Sequence, residues 1–324
     1  MKRLVLLLII VILVLSSCHK KRLNVNYREQ MRLFVEKISQ YAKDKKPLFY
    51  IIPQNGVQLV VRDETSLEPD NNYLSSIDGV GQEDLFYGYD ADDKATPKDQ
   101  TEYLLQFLNI VKDHGKKVLI TDYCYTHSKI DDSYKKNDEY GFCGFAAPER
   151  DLNVIPDYPS EPHNVNNLDI RNLDSIRNFL YIINPENFSS IDDMISQLQQ
   201  TNYDMLLIDL FFNGKQLTRD QVQALKTKAN GGKRLVIAYM SIGEAEDYRY
   251  YWKPEWKNNP PQWLENENPQ WQGNYKVRYW DPQWQKIIFG TKDSYLDKIL
   301  ESDFDGVYLD IIDAFEYFEQ KYQK

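Results

Sequence analysis

The sequence predicts an α/β fold, a (β/α)8 TIM barrel with long aromatic-rich loops, on three observations. Short β-rich runs recur eight times along the chain, most of them separated by helical patterns. These runs are apolar almost throughout rather than alternating, as expected for parallel strands that helices cover on both faces. The first run leads into "IIPQNGVQL", without the glycine-rich turn that an open dinucleotide-binding sheet carries there. Eight such strands favour closure into a barrel over an open doubly wound sheet.

From the N-terminus, residues 1–17, "MKRLVLLLIIVILVLSS", have the basic start, apolar run and small residues of an export signal. "LSSC" resembles the lipobox of bacterial lipoproteins, which makes Cys18 the first mature residue and the site of lipidation. An ordinary signal peptide or an N-terminal membrane anchor are the alternatives, because the apolar run is nearly long enough to span a bilayer. Residues 18–26 then form a tether and 27–324 a single domain, on a chain exported and held at a membrane through Cys18, in the periplasm or at the cell surface. The next stretch places Met31, Phe34, Val35, Ile38 and Tyr41 at helical spacing.

The eight runs follow: "PLFYII" at 47, "IDGVGQEDLFY" at 77, "KKVLITDY" at 116, "FLYIIN" at 179, "YDMLLIDLFF" at 203, "KRLVIAYMSIG" at 233, "YKVRYW" at 275 and "FDGVYLDI" at 304. Helices are legible between several of them. Thr96 and Pro97 open one that ends at Gly115, and Asp281 followed by Pro282 opens another with Trp284, Ile287 and Ile288 facing inward. Residues 122–168 read as one long loop, and residues 243–275 as an insertion after the sixth run. Cys124 and Cys143 share that first loop, where a disulfide or two free thiols are both open.

Without its leader the chain loses Lys2 and Arg3, which leaves 37 basic against 49 acidic residues and a net charge of −12. This excess disfavours nucleic acid or anionic lipid as the main partner and suits a cationic ligand. In a barrel, reactive groups gather where the strands end. The runs end in Asn55, Glu83, Asp122, Asp209, Glu244 with Glu246, Asp281, and Asp310 with Asp313, a ring of carboxylates around one mouth. Any one of these can be a helix cap, Asp281 before Pro282 above all. All six tryptophans fall between Trp252 and Trp284 among many tyrosines, and flat amphipathic rings beside polar groups suit sugar rings.

Other chemistries lack their residues. The four histidines are scattered without metal spacing, so no metal site is expected. Nucleophile elbows, Cys-His signatures and phosphate-cradling loops are absent from the sequence, and no cofactor is expected. Two carboxylates flanking a glycosidic bond need only Asp and Glu at a suitable separation.

In combination, "FDGVYLDIIDAFEYF", "VRYWDPQWQ", "VIAYMSIGEAEDYR", "LLIDLFF" and "IPQNG" resemble the extracellular TIM-barrel glycosidases grouped with glycoside hydrolase family 114, the endo-α-1,4-polygalactosaminidases. The likeness runs from about Pro47 to Phe318. The resemblance implies a catalytic Asp on the strand with the Asp-x-x-Asp pattern, which falls on Asp310. It implies a catalytic Glu on another strand, and "GVGQEDLFYG" is the best match, which puts that role on Glu83. The strand order differs from the polygalactosaminidase pattern as though rotated around the barrel, and the long insertions leave the substrate open. On this reading Tyr239 and Arg278 hold substrate hydroxyls, Asp209 and Glu244 take an amino sugar's ammonium, and Asn55, Tyr87, Trp252, Tyr279, Asp281 and Asp313 complete the substrate site.

The expectation is a lipid-anchored glycoside hydrolase that cleaves an extracellular or cell-wall polysaccharide with paired carboxylates. A non-catalytic glycan-binding surface lipoprotein keeps the aromatic platform without needing both carboxylates. A structural surface lipoprotein whose aromatics pack a protein partner is the third reading.

Overall fold

The computed structural model describes residues 25–322. The export signal at 1–17, the lipidated Cys18 and all but the last two residues of the 18–26 tether lie outside the described residues.

Helix α1 (Tyr27–Lys45) starts where Asn26 caps the Glu29 amide, and buries Met31, Phe34, Val35, Ile38 and Ala42 along one face. That stripe packs against α2 (Asn71–Ser76) and α9 (Ala314–Tyr322), so α1 closes over the outside of the sheets.

Eight parallel strands form the centre: β1 (Tyr50–Pro53), β2 (Gly79–Glu83), β3 (Lys117–Tyr123), β4 (Cys143–Ala147), β5 (Leu180–Ile182), β6 (Met205–Asp209), β7 (Leu235–Ser241) and β8 (Gly306–Asp310). They make two sheets, one in the order β1-β8-β7-β6-β5 and one in the order β2-β3-β4. Almost every residue in them is buried, and β7 is buried along its whole length, which explains why the sequence shows apolar runs rather than alternation. The sheets meet where Gln54 bridges Gly81, the Asn55 amide donates to the Gly81 carbonyl (2.9 Å) and the Asp78 amide to that of Ile51 (2.9 Å). At their other edges β4 and β5 touch, with Phe145 and Phe179 ring centroids 5.6 Å apart.

Helices fill most crossovers. α3 (Lys98–Asp113) precedes β3, α4 (His127–Tyr140) precedes β4, α5 (Ile191–Gln199) precedes β6 and α6 (Arg219–Leu225) precedes β7. α7 (Pro282–Ile288) and α8 (Tyr295–Glu301) lead into β8. Thr218 and Gln221 form a reciprocal capping box on α6, and Asp281 caps α7 with Pro282 in its first turn. Pro97 rather than Thr96 occupies the cap of α3, because the Thr96 hydroxyl is turned back to the Asp84 carbonyl at 2.7 Å.

Two readings of the sequence need correction. Residues 122–168 are not one loop, since they contain α4 and β4. The run at 275 is not a strand of the parallel sheets. Asn274–Val277 pairs antiparallel with Glu244–Glu246 and Leu264–Glu267 in a separate three-stranded sheet built from the insertion after β7. The aromatics of this insertion mostly pack together. Trp252, Trp256, Trp263 and Trp284 form a chain with successive centroids 5.3, 5.1 and 5.0 Å apart, ending on the buried face of α7.

Cys124 and Cys143 are both free and buried. Cys143 sits opposite Leu119 while Cys124 follows the other end of β3. That offset of five residues is roughly 16 Å along the strands, far beyond the ~7 Å Cα limit for a disulfide. Among the described residues no helix is long and apolar enough to cross a membrane, and no cluster of three metal-ligating side chains occurs.

Candidate active site

The C-terminal ends of the strands open into one cavity of about 730 Å³. Strand β8 runs buried from Gly306 to Leu309 and delivers Asp310 at the rim. The chain then turns sharply, because Ile311 has φ 60°, a left-handed conformation that a β-branched residue rarely adopts. This turn lets the Ile311 amide donate to Asp310 Oδ1 at 2.7 Å, while the Tyr239 hydroxyl on β7 donates to Oδ2 at 2.6 Å. Burial pushes the Asp310 carboxyl up to about 8 and the Glu83 charge adds to that push, whereas the Tyr239 hydrogen bond opposes it.

Glu83 ends β2, and β1 lies between its strand and β8. From just beyond β1, Asn55 ties that strand's end to β2. Its Nδ2 donates to Glu83 Oε2 (2.9 Å), and its Oδ1 accepts from the Glu83 amide and from Gln82 Nε2, both at 3.1 Å. The Tyr123 hydroxyl on β3 donates to Glu83 Oε1. Asn55 itself stands at φ 58°, as the chain must turn at once out of the strand.

Two further acidic groups line the same wall. Asp313 makes no side-chain hydrogen bond among the described residues, and burial, with Glu316 next, lifts its carboxyl to about 7 against the pull of Lys276. Glu244 is 1% exposed, and its Oε1 accepts from Asn268 Nδ2 (2.9 Å) and Lys276 Nζ (2.5 Å). Its Oε2 is buried without a partner.

Two arginines in the cavity wall are already neutralised. Arg249 pairs with both oxygens of Asp209 (2.9 and 2.6 Å) and with Glu246 (2.6 Å). Arg150 pairs with Asp84 (2.9 Å) and Asp92 (2.8 Å) and lies 3.8 Å from the Tyr123 ring centroid. Burial still raises Asp84 to about 6, the arginine notwithstanding.

The structure thus brings Asn55, Glu83, Asp209, Tyr239, Glu244, Asp310 and Asp313 to one cavity. Five residues expected there lie elsewhere. Arg278 points to Glu265 (2.7 Å), Tyr279 is fully buried with its hydroxyl on the Tyr27 carbonyl (2.8 Å), and Asp281 caps the Gln283 amide. These three were placed at the mouth by assigning the 275 run to the ring. Tyr87 turns outward to Asp132 (2.6 Å), and Trp252 packs on Tyr275 at 4.7 Å inside the insertion. Asp122 also leaves the ring of carboxylates. Its side chain faces α4, where it accepts from Ser133 (2.6 Å) and from the Phe86 and Tyr87 amides. Strand alternation then turns Tyr123, its neighbour, into the cavity. Tyr123, Tyr181, Arg150 and Arg249 are cavity residues the sequence did not point to, and of the insertion's tryptophans expected as a sugar platform only Trp271 lines the cavity.

Comparison with known proteins reaches the C-terminal part of the chain. Residues 181–324 match the family model of glycoside-hydrolase family GH114, so the resemblance seen in the sequence holds over that span, which includes Asp209, Tyr239, Glu244, Asp310 and Asp313. Asn55 and Glu83 precede it.

Three curated relatives align with part of the chain. The uncharacterized protein MJ1477 of Methanocaldococcus jannaschii is 47% identical over 126 residues, 39% of this chain and 35% of its own length. An uncharacterized protein of Thermotoga maritima is 38% identical over 142 residues, 41% of this chain and 42% of its own. One from Deinococcus radiodurans is 47% identical over 93 residues, 29% of each chain. The chain therefore spans less than half the length of each of these relatives. Among solved structures, Aspergillus fumigatus Ega3 in complex with galactosamine has 24% identity and a TM-score of 0.27 over 36% of this chain and 39% of that one, too slight a likeness to carry an argument.

Proposed function

We propose that the two sheets close into one (β/α)8 barrel and that the chain is a glycoside hydrolase whose catalytic pair is Asp310 and Glu83. The observation that carries this reading is the pair itself. Two carboxyl groups on strands either side of β1 share one cavity, each accepts a tyrosine hydroxyl, and the charge of one raises the other.

Closure is supported by side chains that cross the interior. The Tyr181 hydroxyl on β5 donates to Gln54 at the end of β1 (2.9 Å), and Tyr308 on β8 fills the space that a side chain at Gly81 on β2 would need. The reaction follows from the two environments. Asp310, held protonated up to about pH 8, donates its proton to the glycosidic oxygen as the bond to the anomeric carbon breaks. Glu83 either attacks that carbon or takes a proton from an attacking water. Their strands lie two spacings apart, roughly 10 Å between backbones, from which inward-leaning side chains reach either a retaining or an inverting separation.

The substrate is an extracellular or cell-wall polysaccharide containing amino sugars. Asp209 does not take the ammonium, since Arg249 occupies both its oxygens. Asp313 and the unpartnered oxygen of Glu244 are the acceptors that remain. Export and lipid attachment at Cys18 hold the enzyme where such polymers occur.

The test is incubation with a panel of polysaccharides, including de-N-acetylated galactosamine polymers, with release of reducing ends as the readout. Release that Asp310→Asn abolishes supports the hydrolase. Glycan binding with no release across the panel supports a binding lipoprotein instead. Transfer of the full-length chain to the detergent phase, lost in Cys18→Ser, tests the anchor.

A further inference from the structure

The cavity continues past the carboxylates onto a rim that the reaction above leaves unused. Resting on the hydrolase reading, we infer that Trp271 and Tyr248 form a distal stacking subsite, which binds a sugar ring of the same chain away from the bond that is cut.

Trp271 is 49% exposed and Tyr248 60% exposed, and both line the cavity. None of the other five tryptophans lines it, and four of those five form the packed chain described above. Isolated apolar residues on a surface need no explanation, but two aromatic rings sharing a rim with a polar cavity do.

The Tyr248 ring is held in place before any ligand arrives. Its hydroxyl donates to Glu246 Oε1 at 2.6 Å, and the Arg249 guanidinium lies 5.2 Å from its centroid. Arg249 is itself fixed between Asp209 and Glu246. Trp271 stands on the turn of the antiparallel hairpin, which the Asn274 amide closes onto the Trp271 carbonyl at 3.1 Å. Gly273 in that turn has φ +87°, and a Cβ there would lie 2.9 Å from Asp247 Oδ1 and 3.8 Å from Tyr248 Cδ1. The bare glycine therefore seats the turn that carries Trp271 against the Asp247–Tyr248 segment, and both aromatic residues line the one cavity.

A polar partner completes the site. Asn274 also lines the cavity, and its Oδ1 is buried without a hydrogen bond. Such an orphaned acceptor is costly unless a ligand supplies a donor. A pyranose does so, since its C–H face stacks on an aromatic ring while its hydroxyl or amine edge donates. An apolar ligand would leave Asn274 unsatisfied. The consequence is that affinity depends on chain length, because only a chain long enough to span from the carboxylates to the rim engages both.

The experiment uses the full chain carrying Asp310→Asn, so that ligand is bound and not cut. α-1,4-Linked galactosamine oligosaccharides from disaccharide to octasaccharide are titrated by calorimetry, with acrylamide quenching of tryptophan fluorescence in parallel. The expected result is affinity that rises with length and protection from quenching by the longer oligomers. Adding Trp271→Ala weakens the long oligomers by about tenfold, leaves the disaccharide within about twofold and removes the protection, while Trp271→Phe restores most of the affinity. Unchanged circular dichroism and melting confirm that the exposed turn tolerates the change.

Binding by the parent with the same length dependence in Trp271→Ala and Tyr248→Ala overturns the subsite and leaves the hydrolase reading intact. No binding at any length overturns the subsite, and an inactive wild-type protein across the polysaccharide panel overturns the hydrolase reading too.

Discussion

Asp310 holds a proton that a free aspartate would have lost, since burial and the facing Glu83 both penalise its charge. Its value in the folded chain, about 8, lies above the ordinary 3.8, so between those values the folded state binds the extra proton. Stability therefore falls as pH rises from about 4 to about 8, and Asp313, lifted to about 7, falls in step. Asp310→Asn should abolish hydrolysis, by roughly a hundred- to ten-thousand-fold. It should also stabilise the fold at pH 9 by about 1 kcal/mol or more, with a smaller gain at pH 5. Thermal melts at the two pH values measure this, and equal gains at both would refute the raised value.

The alkaline limb of kcat/KM should lie near pH 8 as a property of the coupled pair. Tyr239→Phe removes a hydrogen bond that favours the charged form, so the limb should move to higher pH. A limb that stays put separates Tyr239 from the proton donor.

At the scale of elements, what could be read from the sequence depended on how a segment announces itself. β6, β7 and β8 are long apolar runs, and each was legible together with the acid at its end. β4 was missed because Cys143–Ala147 reads "CGFAA", in which small residues surround a single Phe145 and no side chain is β-branched. The run at 275 was recognised as a strand but assigned to the wrong sheet, because composition reports strand character and not the partner. That single error put Arg278, Tyr279 and Asp281 at the cavity mouth, where none of them lies. Tyr123 and Tyr181 were missed as site residues because tyrosines inside buried strands look like core, and only the cross-ring contacts show them facing the cavity.

Close packing across the interior yields its own prediction. A Cβ at Gly81 would lie 1.7 Å from the Tyr308 hydroxyl oxygen and 2.3 Å from the ring carbon that bears it, so β2 cannot accept a side chain there without displacing the Tyr308 ring from the interior. Gly81→Ala should cost about 1–3 kcal/mol, read as a fall in urea midpoint, and Tyr308→Leu in the same chain should recover part of it. A neutral Gly81→Ala would mean that β2 and β8 are not held against each other.

For the whole molecule, closure decides whether one cavity mouth exists or two half-sheets merely adjoin. The β2-β3-β4 sheet carries Glu83 and the five-stranded sheet carries Asp310, so the proposed catalytic pair is assembled only if the sheets hold together. The links between the two sheets are the Gln54–Gly81 bridge, the Asn55–Gly81 and Asp78–Ile51 backbone hydrogen bonds, the Asn55–Glu83 side-chain bond, and the Tyr308–Gly81 and Phe145–Phe179 contacts. A ring closed through such contacts should unfold as one cooperative unit, whereas two adjoining sheets would separate. The sequence supplies a reporter for each half. All six tryptophans lie between residues 252 and 284, and the buried thiols of Cys124 and Cys143 flank β3 and β4. In a chain carrying Cys18→Ser, urea unfolding followed by tryptophan emission and by thiol reactivity should give one shared midpoint, with two thiols reacting per unfolded chain. Thiols that react fully while the tryptophans still report the folded state would show the β2-β3-β4 sheet opening on its own. Glu83 would then be parted from Asp310 whenever that sheet opens, and the paired-carboxylate mechanism would lose its second member.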